Sequence, residues 1–160
     1  MDELGLEILS RELDEDCRVA AGAAANAVAR MGENYPGRLE AAAFEAARFY
    51  NIVERMLERI CMAFENQFEK RGDYHERLLQ RLALSLPGIR PAFLPQEALP
   101  DMREIKGFRH VTRRAYDLVL QPDRLQSAAD RCQKLAGQLP AWCERFVAAV
   151  RHEQGWPSPI

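Results

Sequence analysis

The sequence of 160 residues is poor in the residue patterns that build metal and nucleophile centres. Its histidines are three, His75, His110 and His152, and its cysteines four, Cys17, Cys61, Cys132 and Cys143. No two cysteines stand at Cys-x-x-Cys spacing and none neighbours a histidine, which argues against zinc. Each cysteine falls at an apolar helical position, so all four are expected as small buried hydrophobes in a reducing compartment. Glu-x-x-His pairs are absent, which disfavours a di-metal bundle. So are Gly-x-x-x-x-Gly-Lys and Gly-x-Ser-x-Gly, which disfavours a phosphate-binding loop and a serine nucleophile. No repeat with a period of roughly 20–50 residues is visible. The alternating pattern of half-buried strands is missing. A run of about 18 apolar residues is missing too, and no charged-then-apolar leader opens the chain, which predicts a soluble, cytoplasmic protein with no membrane partner. A net charge of −2 excludes a global basic field.

What is present is helical. Length and composition fit one domain with a single core, expected over residues 1–160. Leu6, Leu9, Leu13, Cys17, Ala20, Ala21, Ala24, Val28 and Met31 step by threes and fours, which predicts a first helix from about Asp2 to Met31. GENYPG, Gly32 to Gly37, punctuates it. Val53, Met56, Leu57, Ile60, Cys61, Phe64 and Phe68 mark a second helix from about Arg38 to Lys70. Asp73 offers a cap for a short third helix, with Glu76 as its capping-box partner. That helix carries Leu78, Leu79, Leu82 and Leu86, with His75 as a capping or packing residue at its start. Prolines at 87, 91, 95 and 100 predict an ordered crossing loop anchored by Ile89, Phe93 and Leu94. A fourth helix is expected from about Asp101 to Leu120. A fifth starts at Pro122, buries Leu125, Ala128, Ala129, Cys132, Leu135 and Leu139, and is kinked or ended by Pro140. The fold class is all-α, a four- to five-helix up-and-down bundle.

Charge is unevenly spread. Met1 to Arg30 is acidic, and the balance turns basic from Arg103 onward. On an ideal fourth helix, Phe108, Val111, Ala115, Leu118 and Val119 share the core side. Arg109, His110, Arg113, Arg114 and Asp117 lie opposite, with Tyr116 at the edge. Such a face is either solvated or a grip for phosphate. Planar arginine forks suit phosphate, like charges at i,i+4 oppose helix formation, and a histidine titrates near neutrality.

Four stretches, FYNIVERMLERI (Phe49 to Ile60), DYHERLLQRLA (Asp73 to Ala83), PGIRPAFL (Pro87 to Leu94) and GFRHVTRRAY (Gly107 to Tyr116), stand in an order and spacing that resembles the HepT-like branch of the HEPN superfamily. The resemblance covers residues 38–150. The second stretch is similar to that branch's tryptophan-histidine-arginine-glutamate-leucine-leucine pattern, with Tyr74 where tryptophan is usual. The resemblance implies a helical bundle that forms a homodimer, with the site in a cleft between two copies. It implies a metal-independent endoribonuclease without a cofactor, the toxin of a toxin–antitoxin pair. It also implies a minimal nucleotidyltransferase as partner, able to silence the toxin by adenylylating a tyrosine.

Carried over by residue, Arg109 matches the motif arginine, His110 the polar residue after it, and Tyr116 the adenylylated tyrosine. Arg114 stands where the motif histidine belongs. Arg103 and Arg113 are supporting phosphate contacts. Cleavage of RNA through 2′-hydroxyl attack needs a base, an acid for the 5′-oxygen, and cations on the phosphate. Arginine suits the last role and is a poor base, because it stays protonated. His110 is one replacement: it stands seven residues after Arg103, and i,i+7 share a helical face. The alternative is a non-catalytic module that binds a nucleotidyltransferase partner, nucleic acid, or both.

Overall fold

Asp2 caps the chain's first helix through Oδ1, which accepts from the Gly5 amide at 2.8 Å. The computed structural model describes residues 1–65, 72–109 and 119–157. Among these are five α-helices and no strand: α1 (Glu3–Gly32), α2 (Arg38–Glu65), α3 (Tyr74–Leu82), α4 (Leu99–Lys106) and α5 (Pro122–Gln154). The expected all-α bundle is therefore what the chain forms.

The long helices α1, α2 and α5 pack on one another and hold most of the core. Leu6, Leu9, Leu13, Cys17, Ala20 and Ala24 of α1 turn inward as their spacing predicts. Ala21 does not: it is exposed, and Ala23 and Ala27 are buried in its place. The α2 stripe holds from Val53 to Cys61, all of its members buried. Phe64 is half-buried and meets Phe146 of α5 edge-to-face at 5.6 Å. Phe68 lies outside the described residues. The α5 residues expected inside, Leu125 to Leu139, are buried. This helix runs past Pro140 to Gln154 and closes on Gly155 in the left-handed conformation. Pro140 lies on its exposed side.

Carboxylates of α1 are spent on neighbouring helices. Asp16, with only 3% of its side chain exposed, pairs with Arg55 and, at 3.1 Å, with Arg59 of α2. Glu12 adds a contact to Arg59 at 2.8 Å. Glu3 and Glu7 both reach Arg151 of α5.

The crossing loop is ordered, but its anchors differ from expectation. Phe93 and Leu94 are buried, Ile89 is exposed, and Leu86 lies beyond the end of α3, paired to Arg90 in an isolated bridge. The missed anchor is Arg90, whose side chain is fully buried. It donates to Glu65 at 2.7 Å and to the carbonyls of Leu84, Pro91 and Arg81 at 2.9, 3.2 and 3.0 Å. Burial pushes the Glu65 carboxyl up, but hydrogen bonds from Arg90 and Arg81 hold it below its ordinary value.

Helix α4 is shorter than its sequence suggests. It begins at Leu99, with Pro100 in the first turn where no amide is needed, and ends at Lys106. The amides of Gly107, Phe108 and Arg109 then bond three residues back, to Glu104, Ile105 and Lys106, a tighter winding than α-helix. Val119, expected in the core, is 90% exposed. Phe108 is buried as expected, in a small cluster with Ala42, Ala43, Leu125 and Ala128.

Candidate functional site

The polar groups that the fold concentrates lie where α2, α3 and the end of α4 meet. Helix α2 contributes Tyr50 and, one turn on, Glu54. Tyr50 is buried. Burial raises its hydroxyl far above the ordinary tyrosine range, the Glu54 carboxylate adds to the rise, and Arg109 opposes it. Arg109 therefore lies close enough to act on the same group, although 59 positions separate Tyr50 from it along the chain. The packing of Phe108 against Ala42 and Ala43 explains this, since it draws the turn after α4 towards the first half of α2.

Helix α3 contributes His75 and Glu76. The capping box expected at its start does not form: Asp73 precedes the helix without a side-chain cap bond. Glu76 is instead engaged by α4, accepting from Arg103 at 2.6 and 2.8 Å and from Lys106 at 2.9 Å. The hydrogen bonds from Arg103 and Lys106 lower its carboxyl to about 2. His75 is not the cap, which is Asp73, but it does pack at the helix start, and it pairs with α2 as well. Its Nδ1 meets Glu54 Oε2 of α2, and its ring lies edge-on to Tyr74 with centroids 4.3 Å apart. The side chains of His75 and Glu54 are 22% and 14% exposed, so the pair sits at a lip between core and solvent.

A carboxylate can only accept, so a neutral His75 must carry its proton on Nδ1 and leave the lone pair on Nε2. Among the described residues no hydrogen bond engages Nε2. The cluster thus combines a histidine oriented by a carboxylate with three cations, Arg103, Lys106 and Arg109. It can move a proton and attract an anion.

Of the site residues expected from sequence, Arg103 is exposed on α4 and bound to Glu76, and Arg109 is half-buried in the turn that follows. His110, Arg113, Arg114 and Tyr116 lie outside the described residues, as do Val111, Ala115, Asp117 and Leu118. The helical face inferred to hold both Arg103 and His110 falls partly outside the described residues, of which α4 ends at Lys106. The pair that sequence reading missed, Glu54 and His75, is 21 residues apart on two helices. The one local signal is Glu54 itself, a carboxylate beside the apolar stripe of α2, four residues after Tyr50.

No curated protein and no solved structure matches the chain. A family model described as HepT-like protein matches residues 41–150, a stretch that holds most of α2, all of α3 and α4 and most of α5, and so includes every residue of this cluster. That match spans well over half of the sequence, and the chain belongs to the HepT-like family of the HEPN superfamily.

Proposed function

We propose that this protein is the toxin of a toxin–antitoxin pair, a metal-independent endoribonuclease that cuts RNA through 2′-hydroxyl attack. The observation that carries this reading is Arg109. It is the residue read as the motif arginine, it falls within the matched stretch, and it stands in the turn after α4, with Lys106 and Arg103 on that helix. Clustered cations at a partly dehydrated surface stabilise the charge that develops on a phosphate in transit. In this reading Arg109 and Arg114 hold the phosphate, His110 transfers a proton, and Arg103 and Arg113 steer the strand. A homodimer sets two such surfaces across one groove. A minimal nucleotidyltransferase is the antitoxin, and Tyr116 the residue it adenylylates.

The test is cleavage of labelled mixed-sequence RNA in excess chelator, with the parent beside His110→Ala. Cutting that resists chelator, ends in cyclic phosphate and is lost in the variant is the expected result. Equal cutting by parent and variant removes His110 from the mechanism. Arg114 favours a second reading, a binding module without cleavage, since an arginine occupies the position of the motif histidine. A stable complex with a nucleotidyltransferase, and no RNA cutting under any condition, is the outcome that selects it. A mass increase of one adenylyl group on Tyr116 after co-expression would tie either reading to that partner.

A further inference from the structure

We propose that His75, oriented by Glu54, is the general base that takes the proton from the ribose 2′-hydroxyl. The proposal rests on the ribonuclease reading and assigns it a residue outside the arginine motif. Three features argue for it. Glu54 fixes the imidazole through Nδ1, which leaves Nε2 as the acceptor and stabilises the ring once it is charged. The pair is partly exposed rather than sealed in the core, so a substrate oxygen can reach it. Cations stand nearby: Arg103 and Lys106 reach Glu76, the residue after His75, and Arg109 follows Phe108, which packs on Ala42 and Ala43 of the same α2 that carries Glu54. With Glu76 answered by two cations, the surroundings of His75 are not closed to an anion.

The step balances without a further reagent. Nε2 removes the 2′-hydroxyl proton, the 2′-oxygen bonds to phosphorus, and the bond from phosphorus to the 5′-oxygen breaks. The 5′-oxygen takes the proton whose transfer the ribonuclease reading gives to His110, and the imidazolium of His75 returns its own to water. The products are a 2′,3′-cyclic phosphate and a 5′-hydroxyl.

The experiment follows a labelled oligoribonucleotide and its 2′-deoxy counterpart with the full chain, in chelator, as a function of pH. A folded His75→Ala variant should lose at least about 100-fold in rate, the scale of positioned proton transfer, and added imidazole should restore part of it. Glu54→Gln leaves a neutral partner for Nδ1. It should slow cutting by at least about tenfold, because the imidazolium formed in the step loses the carboxylate that stabilises it. The other charges facing the ring's surroundings, Glu76 on α3, Arg103 and Lys106 on α4 and Arg109, are unchanged in that variant. A folded His75→Ala that cuts within about threefold of the parent overturns the base role and leaves the ribonuclease reading standing. If His75→Ala does not fold, Glu54→Gln decides, and cutting at the parent's rate sinks the proposal. A parent that cuts no RNA overturns the ribonuclease reading and the base role together.

Discussion

Arg90 and Glu65 show what a single residue can carry here. Both side chains are almost wholly removed from water, and the guanidinium also serves three backbone carbonyls of the crossing loop. Removing one partner of a buried pair strands the other charge, at about 3–5 kcal/mol. Arg90→Ala is expected to cost that much in urea unfolding, with the loop between α3 and α4 loosened first. A cost under about 1 kcal/mol would mean that Arg81, the other partner of Glu65, suffices alone. Nothing in PGIRPAFL marks Arg90 as buried. Arginine is mostly a surface residue, and its partners here come from positions as much as 25 residues away. The same holds for His75, whose neighbours along the chain suggest a helix start while its working partner lies on another helix. Residues whose role depends on one distant polar contact are illegible locally. Leucines and phenylalanines in periodic stripes are legible because any partner face will do.

At the scale of elements, legibility follows how distinct the two sides of a helix are. Val53 to Cys61 of α2 alternate sharply with charge, and their burial was evident. The Ala-rich run of α1 is apolar all round, so periodicity could not choose between Ala21 and Ala23. Helix α4 fails for another reason. Its pattern continues past Lys106, but Gly107 lowers helical propensity where the winding tightens, and Phe108 is drawn to the cluster of Ala42 and Leu125. Pro140 illustrates the reverse case, a strong breaker overridden by packing on both sides, with Leu139 and Cys143 buried around it. A proline inside a helix costs about 3 kcal/mol, and losing its rigidity in the unfolded chain returns about 1. Pro140→Ala is therefore expected to stabilise the protein by about 1–2 kcal/mol, visible as a higher Tm. A lower Tm would mean that the helix needs its bend at this point.

The whole molecule is tied across its elements by carboxylates held in their charged form. Glu76 joins α3 to α4 and Glu65 joins α2 to the loop. Asp101 joins α4 to Arg131 and Lys134 of α5; burial pushes its carboxyl up, and those two cations bring it below its usual value. A carboxyl lowered by folding adds stability that is complete above its unfolded value and disappears as pH falls through its folded one. With Glu76 at about 2 against an ordinary 4.5, the loss belongs between those values, and the share of Glu76 is about 1–2 kcal/mol given the exposure of Arg103. Thermal unfolding should show a flat Tm above about pH 5 and a steep fall below it, a prediction that a flat profile down to pH 3 would refute. The four cysteines extend this view from equilibrium to motion. All are buried and free, and the sulfurs of Cys17 and Cys143, on α1 and α5, lie 3.5 Å apart. Burial pushes the Cys61 thiol up to about 11 and the Cys132 thiol up to about 12, so at neutral pH both stay as unreactive thiols. An alkylating reagent added to the native protein should therefore leave Cys61 and Cys132 unmodified until helices part, while denaturant exposes all four sites at once. The rate at which label accumulates then counts the openings of the bundle, a clock that runs without any added probe group.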